Sequence, residues 1–143
     1  LDSSGTTKKT VDKVLLKQTI SSDVAAMVKS YMKASVDSGT SVYAKVNGYS
    51  MGGKTGTAQK IPRANGKYLV SFIGFAPYRN PKVAICVYVE NGGFGATYGV
   101  PIGKLMMEKY LKGEISEENK LLEETMSNAV VSPNVLSLPN REL

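Results

Sequence analysis

The chain has 143 residues, 42% of them hydrophobic and 21% charged, with one cysteine, no tryptophan and no histidine. That is the composition of a globular chain, and it excludes a histidine base, a histidine metal ligand, an internal disulfide and a Cys-x-x-Cys zinc site. The net charge of +6 divides unevenly: residues 1–112 carry 16 basic and 6 acidic side chains, whereas residues 113–143 carry 2 and 6, so that +10 faces −4.

In chain order, residues 1–20 are polar and rich in Ser, Thr and Lys, like a segment entering from elsewhere. Ser21-Ser22-Asp23 offers a helix cap, and Val24, Met27, Val28, Tyr31 and Met32 recur behind it at helical spacing, which predicts one apolar, core-facing stripe. Gly39 is a natural stop. Residues 41–46 alternate weakly, and Asn47-Gly48 is a turn signal. A strand is expected over residues 53–61, a hairpin tip at 64–67, a second strand over 68–76, a proline-bounded turn at 77–81 and a third strand over 82–90. The last two strands are apolar on both faces, which predicts central, antiparallel neighbours covered on both sides. Cys86 lies in the third strand and reads as a buried packing residue; Glu90, at its end, reads as a turn contact.

Asn91-Gly92-Gly93-Phe94-Gly95 is a flexible turn. Pro101 opens a helix with Ile102, Leu105, Met106 and Tyr110 on one side, and Gly113 ends it. Met27, Met32, Met106 and Met107 all read as core. Residues 114–128 form a short acidic helix, and the remainder, with Pro133 and Pro139, is a loose tail. Strands buried on both faces need helices on each side, yet only two convincing helices are present. The inventory therefore predicts that part of the covering layer belongs to residues outside this sequence. The longest apolar run, Val83-Ala84-Ile85-Cys86-Val87-Tyr88-Val89, is too short to span a membrane, and no signal-peptide pattern opens the chain.

No acid lies between Asp37 and Glu90, while Lys45, Lys54, Lys60, Arg63, Lys67, Arg79 and Lys82 do. Such a surface attracts phosphates, carboxylates or anionic polymers, unless it is simply a set of solvated strand edges and hairpin tips. Within it, Gly48-Tyr49-Ser50-Met51-Gly52-Gly53-Lys54-Thr55 matches the phosphate-loop pattern G-x-x-x-x-G-K-[ST]. A nucleotide-binding module built on it needs a helix after the lysine, whose first amides face the phosphates, and no helical periodicity appears before Pro62.

The same residues contain Lys54-Thr55-Gly56, the K-T-G of serine acyl-transferring enzymes that bind β-lactams. Gly52-Gly53-Lys54-Thr55-Gly56-Thr57-Ala58-Gln59 resembles the penicillin-binding proteins. So do Ser71-Phe72-Ile73-Gly74-Phe75-Ala76-Pro77, with Asn80-Pro81 after it, and Val87-Tyr88-Val89-Glu90-Asn91-Gly92-Gly93-Phe94-Gly95 before a proline-initiated helix. Their order and spacing are similar to the last third of the transpeptidase domain of class B, elongation-type members. The likeness covers about residues 14–112, is strongest over 52–111, and extends upstream to Asp37-Ser38-Gly39-Thr40.

The resemblance implies an α/β (α+β) fold, an antiparallel sheet flanked by helices of the serine β-lactamase and penicillin-binding transpeptidase type, with only the C-terminal portion present. Residues 1–112 would be that portion and residues 113–143 an acidic extension, partly helical or loose. It implies that Lys54 supports proton transfer beside a serine supplied by an earlier motif. Thr55 and Thr57 would bind the terminal carboxylate of a D-alanyl-D-alanine stem peptide or of a β-lactam. Gly56 would admit the substrate backbone, and the Thr57 N–H would serve an oxyanion hole. The bland reading of Lys54 is an edge-strand lysine that blocks aggregation.

The family also requires S-x-x-K and S-x-N well before K-T-G. Ser30-Tyr31-Met32-Lys33 fits the first pattern but sits mid-helix, 24 residues before Lys54, and Ser132-Pro133-Asn134 fits the second but follows K-T-G. Both are decoys by context. The chain alone is therefore expected to be inert, as part of a peptidoglycan D,D-transpeptidase that binds stem peptides and β-lactams and works with wall-synthesis proteins. The resemblance implies no metal, no organic cofactor and no nucleic acid, and it implies a parent held at the periplasmic face of the inner membrane by an N-terminal anchor outside this sequence. A serine β-lactamase or β-lactam sensor shares K-T-G and is the nearest alternative; an anion-polymer-binding domain explains the basic region but none of the three segments.

Overall fold

The computed structural model describes residues 18–59 and 68–131. Among these the chain forms α1 (Ser22–Ser38), a 3-10 turn (Val42–Ala44), β1 (Gly52–Gln59), β2 (Tyr68–Ala76), β3 (Val83–Glu90), α2 (Gly99–Lys112) and α3 (Glu117–Ser127). The expected hairpin tip at 64–67, the proline-containing tail and the Ser132-Pro133-Asn134 triplet lie outside the described residues.

Each boundary has a local cause. Ser21 caps α1 in extended conformation, its side chain accepting from the Val24 N–H at 3.3 Å, and Asp23 puts a negative charge in the first turn. At the other end, the Gly39 N–H donates to Ser35 O, and a Cβ on Gly39 would lie 2.9 Å from Ser35 Cα. Asn47-Gly48 turns the chain between the bridged pair Val46 and Tyr49, with Gly48 at φ 102°. Gly113, left-handed at φ 84°, closes α2 by donating to Lys109 O.

The three strands form one antiparallel sheet in the order β1-β2-β3. Lys54 stands opposite Ile73, which stands opposite Cys86; Thr55, Phe72 and Val87 make the next row. Because side chains alternate across a strand, these two rows point to opposite faces. The Phe72 face is the core. Phe72, Val100 and Met107 are fully buried there with Ala76 and Val87, and α2 packs so closely that a Cβ on Gly103 would lie 2.5 Å from Phe72 Cδ1.

The Lys54 face is different. Helix α1 crosses only its β1 side: a Cβ on Gly52 would meet the Phe75 ring and Met32 Cβ, and Lys29 Nζ sits 5.7 Å from the centre of the Phe75 ring. Beyond that, Ile73 is 46% exposed and Tyr88 58% exposed, and Cys86 is exposed as well. Two expectations are corrected here. Among the described residues strand β3 is an edge of the sheet rather than a central strand, and Cys86 is not buried, because no described residue covers the outer half of that face. The α1 stripe is corrected on the same ground: Val24, Met27, Val28 and Tyr31 are all exposed, and only Val36 is buried. On α2 the expected side holds for Leu105, which is buried, and for Ile102, which packs against the core, but Met106 and Tyr110 are outside while Met107 and Glu108 are inside.

Candidate active site

Strand β1 carries the four residues singled out from the sequence. It lies at one edge of the sheet, so one of its two backbone rims is unpaired among the described residues. Lys54 is exposed and its Nζ donates to Thr55 O at 2.8 Å. With Val28, Tyr31, Met32, Gly39 and Thr40, it lines a groove of about 480 Å³ between α1 and β1. Thr55 is half-buried, and its Oγ1 donates to Thr40 Oγ1 at 3.3 Å. Thr57 is exposed, and its Oγ1 accepts from the Gly95 N–H at 3.3 Å.

Gly56 stands opposite Ser71, and a Cβ there would lie 2.5 Å from Ser71 Oγ. A side chain there would have to displace the Ser71 hydroxyl. Gly95 is the counterpart on the turn after β3: its own Cβ would lie 3.0 Å from Gly56 O and 3.1 Å from Thr55 Cβ. The turn therefore lies directly against the K-T-G backbone. Phe94 holds it from the other side, stacked on Tyr68 with ring centres 6.5 Å apart.

The site thus combines a flexible ammonium, two hydroxyls on alternate residues of an edge strand, and a groove. That arrangement suits a ligand with an anionic end and an extended backbone. It does not suit a nucleotide phosphate cradle: after Lys54 and Thr55 the chain continues as strand to Gln59, so no helix N-terminus faces the loop. The decoy S-x-x-K is also disposed of. Ser30 Oγ donates to Met27 O at 2.7 Å, while Lys33 pairs with Asp37 one turn on. Among the described residues, no group of three or more His, Cys, Asp and Glu side chains is placed to hold a metal ion, and no helix is long and apolar enough to cross a membrane.

Residues to which the sequence alone assigned no place in the site surround this edge. Thr40 and Gly95 touch it directly. Glu108 acts further off: it is fully buried on α2, with Oε1 accepting from Lys112 Nζ at 3.0 Å and Ser116 Oγ at 2.6 Å, and Oε2 from Asn119 Nδ2 at 2.8 Å. Burial pushes its carboxyl up, but the hydrogen bonds from Ser116, Lys112 and Asn119, with the Lys112 charge, outweigh that and hold it below the usual carboxylate value. This hub fastens α3 to α2. Asn47 Nδ2 adds a 2.9 Å bond to Glu118 on α3, and Tyr49, on the segment leading into β1, is pushed up to about 12 by burial and by the Glu108 charge.

The sequence model of the penicillin-binding protein transpeptidase domain matches residues 3–108. The chain belongs to this family. Stage V sporulation protein D of Bacillus subtilis is 36% identical over 96% of the chain. Transpeptidase domains have the same fold: that of penicillin-binding protein 3 from Burkholderia pseudomallei superposes with a TM-score of 0.56 at 34% identity, over 64% of this chain and 30% of the other. The imipenem acyl-enzyme complex of penicillin-binding protein A from Mycobacterium tuberculosis gives 0.55 at 33%, over 64% of this chain and 20% of the other. The chain spans a quarter or less of the length of these curated relatives, 24% in the sporulation protein. The transpeptidase match ends at Glu108's own position, so α3 lies wholly beyond it.

Proposed function

We propose that this chain forms the K-T-G wall of a serine-type peptidoglycan D,D-transpeptidase. The observation that carries the reading is the edge strand β1, on which Lys54 opens onto a groove and the Thr55 and Thr57 hydroxyls follow on alternate residues. A stem peptide ending in D-alanyl-D-alanine would lie along this rim as an added strand. Its terminal carboxylate would meet the Thr55 and Thr57 hydroxyls under the positive charge of Lys54. A serine from the rest of the domain would attack the penultimate carbonyl, and the Thr57 N–H would share in holding the oxyanion. D-alanine would leave, and the acyl group would pass to the amine of a neighbouring stem peptide. Lys54 would support the proton transfers through the site.

Relatives named as peptidoglycan D,D-transpeptidases, and the family's β-lactam acyl-enzyme structures, support this assignment. In the proposal, residues 1–112 serve the transpeptidase domain and 113–143 are an acidic extension. The parent stands at the periplasmic face of the inner membrane, held by an N-terminal anchor, with other wall-synthesis proteins as partners. A fluorescent penicillin tests the reading. The full-length protein carrying this chain should form a stable covalent adduct and the 143-residue chain should form none, since no S-x-x-K stands in place within it. In the full-length protein, Lys54→Ala should slow acylation by about 10²-fold or more, the scale of a lost proton-transfer group. An unchanged rate would reject the role of Lys54, and rapid release of the adduct would favour a β-lactamase instead.

A further inference from the structure

We infer that Thr40, outside K-T-G, is a positioning residue of the carboxylate subsite, acting through the Thr55 hydroxyl. The inference rests on the function proposed above. Two observations carry it. Thr55 Oγ1 and Thr40 Oγ1 are 3.3 Å apart in a hydrogen bond, and Thr40 lines the same groove as Lys54. The residue that makes the bond and the residue that supplies the charge therefore border one space, from opposite sides.

Thr40 is held there by its backbone. The Ser35 carbonyl at the end of α1 accepts from both the Gly39 N–H at 3.1 Å and the Ser41 N–H at 3.0 Å, bracketing Thr40. Ser41 is fully buried, and its hydroxyl accepts from Ser35 Oγ at 3.1 Å. The Val42 N–H returns to Gly39 O at 3.2 Å, so the turn is pinned on both sides of Thr40. A hydroxyl on so constrained a turn is a fixed reference against which a rotating side chain can be set.

The chemistry follows from the proton count. A threonine hydroxyl has one proton to donate and two lone pairs to accept with. With the substrate absent, the two hydroxyls share one hydrogen bond, and either can supply its proton. When a carboxylate arrives, the Thr55 proton turns to the carboxylate, and the Thr40 hydroxyl turns to donate to Thr55 Oγ1. The result is a two-link chain, Thr40 to Thr55 to carboxylate, in which each bond polarises the next. Because Lys54 Nζ holds the Thr55 carbonyl at 2.8 Å, the residue is steadied on its backbone and its side chain at once. Without the Thr40 hydroxyl, Thr55 keeps its proton but loses both the orientation and the polarisation.

The test compares acylation rates in the full-length protein with benzylpenicillin and with its methyl ester, which lacks the anionic carboxylate. Thr40→Val, which keeps the shape and removes the hydroxyl, should slow benzylpenicillin about three- to tenfold, the scale of one neutral hydrogen bond, and leave the ester rate unchanged. Thr40→Ser should restore the benzylpenicillin rate to within about twofold, since the hydroxyl returns. In a Thr55→Val background, Thr40→Val should add nothing, because the residue it acts through is gone. If Thr40→Val fails to fold, Thr40→Ala takes its place at this exposed position. A normal benzylpenicillin rate in the variant, an ester slowed as much as the acid, a serine variant as slow as the valine one, or additive effects with Thr55→Val would each overturn the inference. A wild-type protein that takes up neither compound overturns this inference together with the proposed function, whereas a reactive wild type with a normal Thr40→Val overturns this inference alone.

Discussion

Replacing Glu108 by glutamine changes one charged oxygen into an amide and nearly nothing else, which makes the buried hub measurable. In the wild type, three donors converge on the carboxylate: Lys112 and Ser116 on Oε1, Asn119 on Oε2. A glutamine can still accept from the first two, but its NH2 then faces the Asn119 NH2, donor against donor. Asn119 relieves the clash by flipping its amide, which forfeits its 3.3 Å bond to Ser116 Oγ. The Lys112 bond loses its charge assistance as well. A charged hydrogen bond contributes about 1.5–3 kcal/mol and a neutral one about 1, so the substitution should cost roughly 1–3 kcal/mol at pH 7. Thermal unfolding followed by circular dichroism should then show a melting temperature lower by roughly 3–12 °C.

The pH dependence provides a sharper readout. The folded state holds the Glu108 carboxyl below its ordinary value, so its contribution is complete above the unfolded value of about 4.3 and is lost as pH falls through the folded one. The unfolded chain takes up that proton first, which lowers stability as acid is added. Glutamine has no proton to take up. The stability gap between wild type and Glu108→Gln should therefore be full at pH 6 and shrink below about pH 4, while the other carboxylates affect both proteins alike. A gap that stays constant from pH 6 to pH 3, or no gap at all at pH 7, would refute the account of Glu108 as a charge held by its three donors.

Three further outcomes are expected. Gly103→Ala should destabilise, because the about 1 kcal/mol gained in helix propensity is outweighed by about 1–3 kcal/mol of overpacking from a Cβ 2.5 Å from Phe72 Cδ1; denaturant titration measures the balance, and a net gain would show that α2 can shift. Tyr49 keeps its proton in the folded chain to about pH 12 and in the unfolded chain only to about 10, so stability should fall as pH rises through that interval. Tyr49→Phe also removes a buried hydroxyl that has no hydrogen-bond partner among the described residues, and should leave stability at pH 7 unchanged or higher while abolishing that alkaline loss. Cys86 should react readily with a thiol reagent in the 143-residue chain and slowly in the full-length protein, where the remaining part of the domain is expected to cover the outer sheet face; equal rates would mean that this face stays open.

Local punctuation was legible without any structure. Ser21, Gly39, Asn47-Gly48 and Gly113 act through backbone conformation and nearest hydrogen bonds, so the element limits follow from residues a few positions apart. The two later strands follow from continuous runs of β-branched and aromatic residues bounded by turn signals, and they pair in the register that their short connection requires. K-T-G and its neighbours were legible for a similar reason. Lys54, Thr55, Gly56 and Thr57 act from consecutive positions of one strand, so their spacing in the sequence is their spacing in space.

Burial was less legible, because apolarity says only that a face is suited to a neighbour. Helical spacing marks the Val24-to-Tyr31 stripe as core, and an apolar strand does the same for Cys86, yet they stand exposed where the described residues provide no covering layer. Three arrangements were decided by tertiary structure alone. Glu108 is an acid on the buried side of α2, tolerated because Ser116 and Asn119, eight and eleven residues on, fold back to donate to it. Thr40 reaches Thr55 across fifteen residues, and Gly95 reaches Thr57 across thirty-eight. Short-range chemistry placed the lysine and the hydroxyls of the site along one strand. What each hydroxyl faces was fixed by chain segments that come near it only when the sheet and its helices pack.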